Sequence, residues 1–197
     1  MFEHLLTEVQ RRVRDDARDF VKATPRQLIL DMDQDKVRFP REWLREAGRR
    51  NLLGVRHPRL WGGRGMEWVT ACAVSEEIGS LSYELACVFS VGADLVCDAI
   101  LIHGTDAQKE RYVKPLLKGD IFAAECLTEP RGGSDFFGAT ATAEDKGDYF
   151  LLNGQSPALG FRRSSLTRCA GPWKSGAAGS PAGGCGDLNP RAGSLES

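Results

Sequence analysis

Apolar residues near the start of the chain recur at intervals of three and four, the spacing of one face of an α-helix. Arginine and aspartate occupy the opposite face. The pattern therefore predicts an amphipathic helix over residues 2–22. Its predicted apolar face consists of Phe2, Leu5, Leu6, Val9, Val13, Ala17, Phe20 and Val21.

Further helices are predicted up to residue 117, each from its apolar period or from its end signals. Pro40 and Gly48 bracket a short helix, since proline suits the first turn and glycine the position past the end. The segment 83–103 is apolar on nearly every side, which predicts a helix buried on most of its surface. Thr105 offers an N-cap oxygen to the last helix. The predicted helices are 25–37, 41–48, 66–78, 83–103 and 107–117.

The pattern changes from that of helices to that of strands at about residue 120. The run IFAAECL (121–127) is short and continuously apolar, as in a buried strand. ATATAED (139–145) and DYFLLNG (148–154) are strand-like, and Lys146-Gly147 forms a hairpin turn between them. Helices followed by antiparallel strands predict an α+β fold in two segregated blocks.

From residue 156 the chain is rich in glycine, alanine, serine and proline and keeps no period of 3.6 or 2. Such a segment buries too little apolar surface to offset the entropy of ordering. We therefore predict a helical domain at 1–119, a partial β-domain at 120–155 and a disordered tail at 156–197.

Composition and charge narrow the classes of function. The 197 residues carry a formal net charge of −1, which gives no general attraction to nucleic acid. Uninterrupted apolar runs stay below the roughly 18 residues of a membrane span, so no span is expected. The N-terminus carries acids and lacks the apolar core of a secretory signal, so we expect a cytoplasmic location.

The cysteines and histidines show none of the spacings typical of metal sites, and no metal site is predicted. Several cysteines lie within apolar helical patterns, where small buried side chains are expected. The histidines are far apart and are expected at the surface or as caps. The residues concerned are Cys72, Cys87, Cys97, Cys126, Cys169 and Cys185, with His4, His57 and His103.

The stretch CLTEPRGGSD (126–135) leads the predicted strand into a bend with few large side chains. Gly132 and Gly133 allow a ligand to approach the main chain closely. Their N–H groups, with the hydroxyls of Thr128 and Ser134, can line a concave site for a phosphate or for the edge of a polar ring. An ordinary turn of the same composition is the alternative.

Five segments, in the right order, resemble the N-terminal part of the acyl-CoA dehydrogenase family. CLTEPRGGSD resembles the signature LTEPxAGSD, and GDYFLLNGQ (147–155) resembles the hairpin GDxYxLNGxK that follows it. HGTDAQKERYVKPLLKGD (103–120) resembles the family's G-T-x-x-Q-K segment. HPRLWGGRGMEW (57–68) resembles its glycine-rich turn, and FPREWLREAGRRNLLGV (39–55) its early helix. The likeness extends over residues 1–155.

The resemblance implies an N-terminal all-α domain, a β-barrel-like middle domain and a C-terminal helical bundle. On this likeness the present chain holds only the first antiparallel strands of the middle domain. FAD lies between the middle domain and the bundle in this family. The resemblance also implies that Ser134 lies near the acyl-CoA substrate. The residues that it implies around the flavin are Glu125, Cys126, Leu127, Thr128, Gly132, Gly133 and Ser134.

The implied reaction is α,β-dehydrogenation of an acyl-CoA thioester, in which a carboxylate base removes the α-proton. The implied partners are an electron-transferring flavoprotein and, for the full-length protein, further copies of itself. The family's base lies in the bundle, which this sequence does not match, so no catalytic residue is predicted. We expect this chain by itself to be inactive, marginally stable and prone to aggregation, with DYFLLNG as an open strand edge.

The sequence leaves two alternatives open. One keeps the fold and changes the electron acceptor, as in an acyl-CoA oxidase or a related flavin monooxygenase. The other is a non-catalytic helical fragment that pairs with an intact subunit. In either case Glu125 and Glu129 are expected to be solvated or paired with arginine.

Overall fold

The structure is a computed structural model that describes residues 3–125, 127–130, 132–146, 150–157, 166–168 and 171–173. It contains two compact units. The first includes the described residues up to Glu125 and holds all the long helices. The second includes the described residues from Leu127 onward.

The helices of the first unit follow the predicted order. Two short 3-10 turns lie at Glu3–Leu5 and Arg59–Trp61. The α-helices are α1 (Glu8–Ala23), α2 (Arg26–Asp33), α3 (Arg41–Arg49) and α4 (Trp68–Gly79). The long helix, Tyr83–His103, combines Tyr83–Ser90, a π-helical stretch Val91–Val96, and Cys97–His103. The last helix, 106–118, combines Asp106–Gln108, π-helical Lys109–Val113 and Lys114–Lys118.

A capping box fixes the start of α1. The Thr7 hydroxyl accepts a hydrogen bond from the Gln10 N–H, and the Gln10 side chain accepts one from the Thr7 N–H. Thr105 and Gln108 form the same arrangement at the start of the last helix, which confirms Thr105 as its N-cap. Local sequence therefore sets both helix starts.

The predicted apolar face of α1 is only partly buried. Leu5 and Val9 are 63% and 61% exposed, although Leu6 between them is buried. Phe2 lies outside the described residues. The buried members of the face are Leu6, Val13, Ala17 and Phe20.

Aromatic side chains join three helices in the core of the first unit. The Trp43 ring of α3 lies 5.1 Å from that of Phe20 on α1 and 6.2 Å from that of Phe89 on the long helix, centroid to centroid. The indole N–H of Trp43 donates to Thr24 Oγ1 at 2.9 Å, so its polar edge is satisfied despite burial.

The long helix bears on two of our predictions, the absence of a membrane span and burial on most sides. Among the described residues it is the one helix long and apolar enough to cross a membrane: it has 21 residues, and an 18-residue window within it has a mean hydropathy of 2.1. The helix passes by length and composition although no uninterrupted apolar run reaches 18 residues, and the expectation of no membrane span stays a prediction. A core helix of a soluble protein passes the same test. Burial on most sides is wrong, since Tyr83, Leu95 and Ile102 are 81%, 51% and 71% exposed.

Short antiparallel strands make up most of the regular structure of the second unit. β1 (Thr142–Asp145) pairs with β2 (Phe150–Asn153), which confirms the predicted strand pairing, while Gly147 of the predicted turn lies outside the described residues. β3 (Gln155–Pro157) pairs with β4 (Leu166–Arg168), and β2 also pairs with β5 (Gly171–Trp173). The order β1-β2-β5 makes β2 a middle strand, so the predicted open edge at DYFLLNG is wrong.

The structure contradicts one further expectation and leaves another untested. The apolar run that begins at Ile121 was predicted as a strand, but no strand covers residues 121–125. Most of the predicted tail, 156–197, lies outside the described residues, so its disorder stays a prediction.

Candidate cofactor-binding loop

The signature stretch forms a tight turn in the second unit. The main chains of Glu129 and Gly132 bond to each other in both directions, with N···O distances of 3.3 and 3.0 Å. The N–H of Gly132 is therefore committed to this turn. The bend predicted from the glycines is present, but Gly132 contributes to it as a member of the turn and not as a free donor.

The Glu129 carboxylate is the best-anchored polar group of this loop. Glu129 is 8% exposed, and its Oε2 accepts from both the N–H and the hydroxyl of Thr140, at 2.7 and 2.6 Å. Its Oε1 accepts from the N–H of Ala141 at 2.7 Å. The expectation that Glu129 is solvated is thus wrong, and pairing with an arginine stays a prediction. The donors lie more than ten residues further along the chain, where no local pattern signals them.

Asp135 shapes the other side of the loop. Its Oδ1 accepts from the Gly138 N–H at 2.9 Å, which supports the 3-10 turn Phe136–Gly138. Phe137 on this turn is fully exposed. Asp135 therefore supports the backbone of its own loop, whereas Glu129 bonds to Thr140 and Ala141 just before β1.

The predicted flavin residues differ in how exposed they are and in the unit to which they belong. Leu127 is 43% exposed and Thr128 is half-buried. Ser134 is exposed, as are the two glycines before it. Glu125 is half-buried and belongs to the first unit, and Cys126 lies outside the described residues.

Thr128 and Gly133 lie against each other across the turn. A Cβ added to Gly133 would lie 3.4 Å from both Oγ1 and Cγ2 of Thr128, so any side chain there would cover the hydroxyl. In the described part of the chain no hydrogen bond uses the N–H of Gly133 or Ser134. Gly133 therefore lies against the Thr128 side chain without a side chain of its own.

The cavity within this loop is small. It measures about 40 Å³ and is lined in part by Leu127, Glu129 and Gly133. That volume suits little more than a water molecule. A ring system can therefore meet the loop only at its surface, through its edge.

A second cluster of charged residues, which the sequence did not reveal, lies in the first unit. Arg56 pairs with Asp98 and lies 3.4 Å from Asp94, Nε to Oδ1, so that it joins the loop after α3 to the long helix. Its guanidinium also lies over the Trp68 ring, 3.9 Å from the centroid. Burial opposes the charge of Arg56, but Asp98 and Asp94 outweigh it and raise the pKa of Arg56. These ion pairs hold the π-helical stretch and the turn after it against the loop that follows α3.

His57 and Cys72 depart from prediction, whereas Cys97 agrees with it. His57 is 1% exposed, and its Nε2 bonds to the Ala93 carbonyl, so a surface position is wrong. Cys72 is exposed, whereas Cys97 is fully buried. Burial, with Asp94 and Asp98 nearby, raises the pKa of Cys97 to about 12, which makes it a poor nucleophile. No group of acids, histidines and cysteines in the described residues is arranged to hold a metal.

Comparison with known proteins settles the family. The model of the acyl-CoA dehydrogenase N-terminal domain matches residues 7–120. This chain belongs to the acyl-CoA dehydrogenase family. The family match covers the helices of the first unit up to the end of the last helix, and the resemblance inferred from the five segments is thereby confirmed.

Curated relatives extend the match into the signature loop. A 3-(aryl)acrylate reductase of Clostridium sporogenes is 33% identical over 149 residues, which are 76% of this chain and 39% of the relative. The CarC subunit of the caffeyl-CoA reductase-Etf complex of Acetobacterium woodii is 34% identical over the same length and shares. The chain thus spans about two fifths of the length of these relatives.

A solved structure supports the fold. A glutaryl-coenzyme A dehydrogenase in complex with glutaryl-CoA is 32% identical, with a TM-score of 0.72 over 77% of this chain and 39% of that one. The mostly helical N-terminal domain described above is therefore the family's fold.

Proposed function

We propose that this chain carries the flavin-holding loop of an FAD-dependent acyl-CoA dehydrogenase. The hydroxyl of Thr128 and the N–H groups of Gly133 and Ser134 are the groups that hold the cofactor in this proposal. Leu127, and the predicted contacts Glu125, Cys126 and Gly132, complete its surroundings, and Ser134 also lies near the acyl-CoA.

One observation carries the proposal. Gly133 lies against the Thr128 side chain without a side chain of its own, in a member of a family that includes an acyl-CoA dehydrogenase solved with FAD. Amide donors in such a concave bend suit a phosphate or the polar edge of a flavin ring. The small volume of the loop is consistent with contact to an edge and not with enclosure of the ring.

FAD, when bound, supplies the hydride acceptor for α,β-dehydrogenation of an acyl-CoA thioester. The residues of this loop bind and orient, and none of them moves a proton. Glu129 is unsuited to act as a base, because at least three donors already occupy its carboxylate oxygens. We therefore expect the 197-residue chain by itself to show no turnover of acyl-CoA.

The proposed partners come from the relatives. CarC is named as a subunit of a complex with Etf, so we propose an electron-transferring flavoprotein as the redox partner. A homo-oligomeric full-length protein and a cytoplasmic location remain proposals that gel filtration and fractionation can test.

In a second candidate function, the same flavin chemistry proceeds in the direction of substrate reduction. Both relatives above are named as reductases, one of 3-(aryl)acrylate and one of caffeyl-CoA. The substrate class is then an α,β-unsaturated thioester or acid. Flavin reoxidation by an aryl-acrylyl-CoA distinguishes this direction from flavin reduction by a saturated acyl-CoA.

The remaining alternatives make different predictions. An oxidase or monooxygenase consumes oxygen when the flavin is reduced by substrate, whereas a dehydrogenase passes electrons to a flavoprotein or dye. A non-catalytic helical fragment co-purifies with an intact homologous subunit and shows no affinity for FAD.

The direct test is an FAD titration of the 197-residue chain, followed by flavin fluorescence. Thr128→Val removes the hydroxyl while keeping the shape, and we expect roughly 10-fold weaker binding from the loss of one polar contact. Thr142→Val is the matched control, since Thr142 is exposed on β1. Equal affinities for the two variants, or no binding by the unmodified chain, would contradict the proposal.

A further inference from the structure

Glu129 connects two segments that the chain separates by more than ten residues. Its main chain closes the turn with Gly132, and its side chain bonds to Thr140 and Ala141, immediately before β1. One residue therefore fixes both the shape of the turn and its distance from the hairpin. Two oxygens facing three donors at 2.6–2.7 Å form a charge-assisted set, about twice as strong as neutral hydrogen bonds.

The groups proposed to hold the cofactor lie on either side of Glu129 in the sequence. Thr128 precedes Glu129, and Gly133 follows the turn that Glu129 closes. The 3.4 Å spacing between Thr128 and the Cβ position of Gly133 exists only while that turn keeps its shape. A shift of the turn changes the direction of the hydroxyl and of both amides together.

We propose that Glu129 is a positioning residue, which preorganises Thr128 and the amides of Gly133 and Ser134 for the flavin without touching it. This inference rests on the proposed function. It assigns the acid of the signature to alignment of the binding groups, not to proton transfer.

Glu129→Gln is the informative change. A glutamine has one acceptor oxygen and one NH₂, so whichever way the amide turns, Thr140 N–H or Ala141 N–H faces a donor. Glu144→Gln is the matched control, since Glu144 is 61% exposed on β1 and pairs only with the neighbouring Lys146 among the residues described. The two variants change net charge equally.

Two readouts on the 197-residue chain separate the inference from the proposed function. Amide hydrogen exchange without FAD reports the anchor directly: Glu129→Gln should speed exchange at Thr140, Ala141 and Gly132 by roughly 10-fold or more, and Glu144→Gln by less than about twofold. FAD titration reports alignment: Glu129→Gln should weaken binding by roughly 10- to 100-fold. At saturating FAD the absorption band of the bound flavin should shift, which a merely stabilising carboxylate would leave in place.

The outcomes distinguish the two ideas. Unchanged exchange at Thr140 and Ala141 overturns the anchor whether or not FAD binds. Faster exchange with unchanged FAD affinity, while Thr128→Val still weakens binding, overturns the positioning role and leaves the proposed function standing. No FAD binding by the unmodified chain overturns both.

A second variant covers the case in which Glu129→Gln fails to fold. Thr140→Val removes only the hydroxyl donor and keeps both backbone N–H groups on the carboxylate. We expect a smaller loss of FAD affinity, roughly threefold to 10-fold, with circular dichroism unchanged. Wild-type affinity in this variant would then refute the positioning role.

Discussion

Replacing Arg56 by methionine tests how much the ion pairs of Arg56 with the long helix contribute to the free energy of unfolding. Arg56 is 11% exposed in its side chain and faces Asp94 and Asp98, which are 30% and 32% exposed. Methionine keeps the apolar contact with the Trp68 ring but removes the charge. Two neighbouring carboxylates on the π-helical stretch and the following turn would then lose their common cation.

The magnitude follows from the burial of the three groups. Removing one member of a fully buried ion pair costs about 3–5 kcal/mol, because the other charge stays buried without a partner. Water can still reach about a third of each carboxylate here, so we expect about 2–3 kcal/mol. That is a large share of the roughly 5–15 kcal/mol by which domains are stable. With a urea m-value of about 2 kcal/mol/M, the unfolding midpoint should fall by about 1–1.5 M.

The assay is urea unfolding followed by far-UV circular dichroism, because the long helices all belong to the first unit. Arg12→Met is the matched control: Arg12 pairs with Glu8 on the surface of α1, where the two side chains are 75% and 71% exposed. Such pairs contribute about 0–1 kcal/mol. Equal midpoints for the two variants would refute the reasoning. A higher midpoint for Arg56→Met would mean that desolvation outweighs attraction in this cluster.

Two further predictions concern the first unit. Burial raises the pKa of Asp94 above 3.8, with a further contribution from Asp98. The folded state therefore binds the proton more tightly than the unfolded state, and the free energy of unfolding falls as pH rises from 3.8 through the raised pKa. Asp94→Asn should therefore match or exceed the thermal stability of the unmodified chain at pH 7 and lose that advantage at about pH 3.5; a clearly lower melting temperature at pH 7 would show that the Arg56 pair dominates. Gly48→Ala should destabilise by about 1–3 kcal/mol, since its Cβ would lie 2.1 Å from the Lys118 carbonyl oxygen, a backbone atom. A Cβ added at Gly79, at the end of α4, meets nothing within 4 Å, so Gly79→Ala should gain up to about 1 kcal/mol of stability. Equal effects of Gly48→Ala and Gly79→Ala in thermal unfolding would contradict the packing argument.

The sequence by itself determined the order and approximate extent of the helices, because their signals are local. The period of α1, the caps at Thr7 and Thr105, and the punctuation by Pro40 each act within one or two turns. The hairpin of β1 and β2 was predictable for the same reason, since its strands and turn are contiguous. The glycine-rich bend and its place in the family also followed from contiguous residues.

Tertiary structure decided which of these surfaces are covered and which polar groups meet. Val9 shares the apolar face of α1 but is exposed, and His57 lies in a polar loop but is buried, because burial depends on what packs there from distant parts of the chain. Likewise, Glu129 finds its donors at Thr140 and Ala141 only after the chain folds back on itself. Periodicity and capping specify which backbone conformation each segment prefers. They cannot specify the partner of a buried charge, because that partner is selected by contacts distant in sequence.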